Sequence, residues 1–203
     1  MHGLVNRSIQ CFLQDMYGDR LWTKIARDLE LEDCGFEAML SYDDALTRQV
    51  LDMATRLLDK PVEMLLEDVG TYLVSHPNTE GIRRLLRFGG ETFSEFLLSL
   101  DDLPDRIRLA VPDLEIPALE LFGGEDGQYE LRVDGPHAGY GFVMIGVLRA
   151  MADDYGALVI LDHCAQDKAG MVIRISLLDS EFAEGRSFSL AHPAAPHPDG
   201  AAR

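Results

Sequence analysis

Residues 92–121, TFSEFLLSLDDLPDRIRLAVPDLEIPALEL, constrain the fold more than any other stretch. Phe93, Phe96, Leu97, Leu100, Leu103 and Ile107 recur at three- and four-residue steps. That spacing draws one apolar stripe down a helix. Pro104 sits inside the stripe. A proline has no N–H and collides with the preceding turn, at about 3 kcal/mol in a helix interior. A buried helix that carries one raises the question of what position 104 is for.

The rest of the chain supplies the partners this stripe needs. A length of 203 residues with 47% hydrophobic content suffices for one domain with a proper core. The net charge of −17 argues against nucleic acid and against an anionic membrane surface, both of which recruit clustered Lys and Arg. Cys11, Cys34 and Cys164 have neither disulfide-framework nor CxxC spacing and read as core or boundary residues. No apolar run approaches the roughly 18 residues that span a bilayer. MHGLVNRSIQ lacks the pattern of a signal peptide. A cytoplasmic location is the expectation.

Apolar spacing predicts helices over residues 3–17, about 19–29, 45–58, 62–75 and 79–88, followed by the central helix. Ser41 to Asp44 offer caps for the third, and Pro61 suits the first turn of the fourth. After Pro112 the pattern turns strand-like at 114–122 and 128–133, joined by the Gly-rich turn 123–127. A long helix over 138–155 and strands at 157–163 and 171–178 complete the order. Helices set apart from an antiparallel four-stranded sheet, with one long helix inserted, make an α+β fold. The domain is expected to occupy 1–180, and the Pro/Ala-rich segment 181–203 to be a disordered tail.

Enzymatic signatures are missing: there is no GxSxG, P-loop, HExxH or dinucleotide fingerprint. Asp101-Asp102 and Asp153-Asp154 are neighbours in sequence, so they diverge around a helix and form no carboxylate dyad. Both pairs read as solvated faces, and a non-enzymatic chain is expected.

Particular residues carry a likeness to a known family. The run Leu100-Asp101-Asp102-Leu103-Pro104 resembles the leucine–aspartate–X–leucine–histidine run of the haem NO-binding (H-NOX) family. Met1, Gly3, Val5, Asn6, Tyr17 and Gly18, then Trp22, are similar to its first helix, and Gly70 before Thr71 and Tyr72 to its fourth. The resemblance covers the chain to about residue 180. It implies the H-NOX fold, a haem cofactor that senses a diatomic gas, and a signalling partner of the histidine kinase or diguanylate cyclase type.

The same resemblance names a site. Its axial histidine falls on Pro104, which binds no iron. The family's haem-distorting proline falls on Pro117, thirteen residues on. Its tyrosine–X–serine–X–arginine propionate clamp, counted back from Gly139 and Gly146, falls on Val133, Gly135 and His137. Its distal wall falls on Val5 and Ile9. A neutral histidine offers one donor where arginine offers a fork. The metal ligand is left open among His2, His76, His137, His163, His192 and His197, with His137 nearest the expected porphyrin edge. The alternative is a haem-free interaction module that regulates a signalling partner.

Overall fold

A computed structural model describes residues 1–31, 35–135, 137, 139–167 and 170–188. Its first half is helical. α1 (Gly3–Tyr17) begins where His2 Nδ1 accepts the Leu4 N–H. Gly18, at φ +88°, turns the chain into α2 (Asp19–Asp28). α3 (Asp44–Leu58) is capped by Asp43, and α4 (Val62–Ser75) follows Pro61. A short 3-10 turn, Pro77–Thr79, leads into α5 (Glu80–Arg87).

The expected central helix is two helices, α6 (Phe93–Leu98) and α7 (Leu103–Ala110). Between them the backbone closes tighter turns, with Leu100 N–H donating to Leu97 C=O and Leu103 N–H to Leu100 C=O. Pro104 therefore lies in the first turn of α7, where no intrahelical N–H is called for. The interior-proline penalty does not arise. The apolar stripe survives the break, because Phe93, Phe96, Leu97, Leu100 and Leu103 are all buried. At the start of α6, Thr92 and Glu95 form a reciprocal capping box. Thr92→Ala is expected to cost about 1 kcal/mol in urea unfolding.

The second half is the sheet: β1 (Ala118–Gly123), β2 (Gln128–Asp134), α8 (Tyr140–Tyr155), β3 (Leu158–Asp167) and β4 (Gly170–Asp179). The strand order is β1-β2-β4-β3, and every pair is antiparallel. The α+β architecture is as expected. β1 starts at 118 and not at 114, because Pro117 has no N–H to give to a ladder.

Two apolar cores result. Ile9, Phe12, Leu13, Trp22, Ile25, Leu65 and Val69 form the helical one. The sheet-side core holds Phe96, Leu100, Leu103, Val133, Leu148 and Ile173 among others. α4 and α8 join the two halves at bare backbone. A Cβ on Gly146 would overlap the Glu67 carbonyl and stand 2.9 Å from Thr71 N. One on Gly70 would overlap the Val143 carbonyl.

One expected solvated carboxylate is buried. Asp154 is 1% exposed and accepts from Arg83 Nε at 2.8 Å. The pairing explains it, since an ionised carboxylate enters a core only with a cation and hydrogen bonds. Residues 183–188 also lie against the fold: Ala183 N–H donates to Gly156 C=O, and Arg186 N–H to Asp154 C=O. Contact thus continues past the expected boundary at 180. The remainder of the expected tail, 189–203, lies outside the described residues, as does Cys34. Cys11 is a free, half-buried thiol against the helical core. Among the described residues no helix is long and apolar enough to cross a membrane.

Candidate functional site

The site is built from the start of α7 outward. Pro104 is buried there beside Leu103, with Leu100 in the turn before it. Pro117, also buried, enters β1. Gly135 follows β2 and brings its backbone onto Pro117: a Cβ at 135 would stand 2.9 Å from Pro117 Cβ and 3.5 Å from the Tyr140 ring. Val133, on β2, pairs with Leu119 of β1 and Met171 of β4 and points into the sheet-side core. The fold therefore joins Pro117 to Gly135 and sets Val133 in the same core as Leu103. Val5 and Ile9 belong to the other core, Ile9 buried within it and Val5 half-buried against it.

His137 stands apart from both cores, at a polar rim. Its ring centroid is 5.8 Å from that of Tyr140, and its Nε2 is 3.9 Å from Asp44. The Asp44 carboxyl is held below the usual carboxylate range, first by the Met1 ammonium that bonds it and also by His137. Tyr140 donates to the Glu115 carbonyl oxygen at 3.0 Å, and burial pushes its phenol up to about 12. This rim already holds a carboxylate opposite its imidazole. A ligand carboxylate arriving there meets Asp44 as a competitor.

The other described histidines have local duties. His2 caps α1, and His76 caps the 3-10 turn and stacks on Tyr72 at 4.8 Å. His163 is exposed on β3, edge-on to Phe142. His192 and His197 lie outside the described residues. Among the described residues, no three His, Cys, Asp or Glu side chains are grouped to hold a metal ion.

Against these positions a haem anchored in the family's manner does not fit. Position 104 offers no nitrogen lone pair. Val133 is committed to the core, and Gly135 has neither a side chain nor room for one without moving Pro117. Apolar side chains are plentiful in the two cores; the iron bond and the charge clamp are absent from these positions.

Two polar networks have no motif in the sequence, one near the surface and one buried. Asp15 accepts from Tyr72 Oη at 2.6 Å and from Asn78 Nδ2 at 3.0 Å, tying α1 to α4 and the 3-10 turn. The Tyr72 bond is the main cause that holds the Asp15 carboxyl below its ordinary value. A carboxyl lowered in the folded state stabilises fully above the unfolded value of about 4 and loses that contribution as pH falls through the lower folded value. Tyr72→Phe is expected to weaken stability at neutral pH and to flatten its decline below about pH 4, read by urea melts across pH 2–7. The second network surrounds Asp154. Its signal was Arg83, Arg84 and Arg87 on one short helix of an otherwise acidic chain.

The family model described as Haem-NO-binding matches residues 2–163. The chain belongs to that family. Among curated relatives, soluble guanylate cyclase 89Da of Drosophila melanogaster is 21% identical over 160 residues, which are 79% of this chain and 24% of that protein. Soluble guanylate cyclase gcy-31 of Caenorhabditis elegans is 25% identical over 118 residues, 58% of this chain and 17% of that protein. The chain thus spans about a quarter of the first of these relatives and less of the second. An H-NOX protein from S. oneidensis in the Fe(II)NO ligation state superposes with a TM-score of 0.75 at 15% identity, covering 88% of this chain and all of that one. The Fe(II) unliganded H-NOX protein from K. algicida gives 0.73 at 19%, covering 93% and 100%. The fold is that of the H-NOX proteins.

Proposed function

We propose that this chain is a cytoplasmic sensor and regulatory domain of the Haem-NO-binding family, with its ligand site between the helical core and the sheet-side core. The observation that carries the reading is family membership over residues 2–163, with Ile9 in the helical core and Leu103 and Val133 in the sheet-side core. The family's description names haem and nitric oxide, and solved relatives are titled by Fe(II) and Fe(II)NO states. Haem is accordingly the proposed ligand. Once held, it would supply a position for a diatomic gas. This chain's residues contribute apolar burial around the ring and His137 at the rim. Losing both an axial bond and a buried charge pairing weakens retention by several kcal/mol in order of magnitude. The proposed recipient of the signal is a histidine kinase or a diguanylate cyclase type of enzyme.

A second reading, a haem-free interaction module, is favoured by two contacts. Gly135 closes on Pro117, and Leu66 of α4 reaches to where a Cβ on Gly139 would stand, 2.9 Å away. Haemin titration of the chain beside Val5→Glu tests the site. Val5 is half-buried, so a carboxylate there is tolerated by the fold while opposing an apolar ring. Saturable quenching of Trp22 fluorescence in the chain, lost in the variant with unchanged circular dichroism, is expected. Equal quenching in both, or none in the parent chain, overturns the reading.

A further inference from the structure

After β4 the chain does not leave the domain at once. Residues 183–188 run back over the end of α8. Ala183 N–H donates to Gly156 C=O at 3.0 Å and Arg186 N–H to Asp154 C=O at 2.9 Å, serving carbonyls that a helix end leaves without partners. The contact is backbone against backbone. A Cβ on Gly156 (φ +76°) would press on the Ala183 carbonyl and stand 2.9 Å from Gly185 N.

Side chains weld the same segment to α5. Three guanidinium groups surround the one Asp154 carboxylate: Arg83 Nε at 2.8 Å, Arg87 Nε at 3.6 Å and Arg186 Nε at 3.8 Å. Arg83 Nη2 also donates to the Ser187 carbonyl at 3.2 Å, and the Arg87 guanidinium lies 5.0 Å from the Phe188 ring. With Asp154 neutral, the nearly buried Arg83 and Arg87 would lose the anion between them, Arg83 keeping only Glu80 at 3.2 Å as a charge partner.

The weld also reaches the candidate site. Arg87 covers the Tyr155 ring at 3.9 Å. Tyr155 donates to the Gly90 carbonyl at 2.8 Å and packs against Phe93 and Phe96 of α6. Phe96 shares its core with Leu100 and Leu103, the residues that lead into Pro104. Contact is therefore unbroken from the start of α7 to residue 188.

We propose that residues 183–188 are an output arm, latched on Asp154, and that the arm and α6 open together. A change at the start of α7 would reach the chain beyond residue 188 by this route. The latch is independent of what fills the space between the cores.

Hydrogen exchange on the full chain tests it. Asp154→Asn is expected to speed exchange at Ala183 and Arg186 about a hundredfold and at the α6 amides about tenfold, with α1 to α3 unchanged. Trypsin should then cleave after Arg186 sooner than elsewhere. Arg186→Ala with Phe188→Ala, which spares the Arg83–Asp154 pair and the fold, should act in the same direction on both segments. Tyr155→Phe, cut at the far side of the weld, should loosen the arm. Faster exchange in the arm with α6 unmoved would make the segment a local helix cap and overturn the proposal. So would an arm whose exchange none of the variants changes.

Discussion

Pro104→His is expected to raise haemin affinity about a hundredfold, close to 3 kcal/mol, and to sharpen the Soret band in an absorbance titration. Position 104 is buried in the first turn of α7, where a backbone N–H is neither required nor harmful. Giving up proline's fixed φ costs about 1 kcal/mol or less. The imidazole supplies a lone pair at the position that the resemblance aligns with the family's axial histidine. Pro104→Ala separates the two effects: it removes the same ring and adds no ligand, so it should leave affinity unchanged. Rebuilding the clamp is a poorer test. Val133→Tyr overfills a core in which Val133 is 4% exposed, at about 1–3 kcal/mol. Gly135→Ser brings a Cβ to 2.9 Å from that of Pro117. A hundredfold gain from Pro104→His alone would show that the fold still accepts a porphyrin.

Gly146→Val should cost about 4 kcal/mol or more in urea unfolding and lower the yield of folded protein. The added Cβ overlaps the Glu67 carbonyl and crowds its carbon at 2.8 Å, which are backbone atoms of α4. Backbone cannot step aside as a side-chain tip can, so α4 and α8 must separate. Helix propensity runs the other way: an alanine in a helix interior is favoured over glycine by about 1 kcal/mol. Gly146→Ala isolates that contest. It too should be destabilising, because the overlap exceeds what propensity returns. Gly81 makes the control, since a Cβ there meets nothing within 4 Å, and Gly81→Ala should be neutral or stabilising.

Much of this fold was legible in the chain because periodicity reports burial directly. α1, α4 and α8 follow their apolar spacing, and β1 and β2 flank a Gly-rich turn. The break between α6 and α7 was not legible, since Leu100 and Leu103 keep to the helical stripe through the turn; Pro104 was its only mark. Asp154 was misread for a related reason. Sequence adjacency to Asp153 says that the two carboxylates diverge, but not that Arg83, 71 positions away, meets one of them. In the candidate site, positions 104, 133, 135 and 137 rest on resemblance alone. What needed coordinates was that Gly135 is filled by Pro117, and that His137 already faces Asp44.

The most direct measurement is an absorbance titration of the purified chain with haemin, repeated under reducing conditions with nitric oxide. A saturable Soret band is expected near one haem per chain, from binding weak enough to be lost on gel filtration, and shifted by nitric oxide after reduction. The broad spectrum of unbound haemin at every ratio would contradict it, and would leave the haem-free module as the reading of this domain.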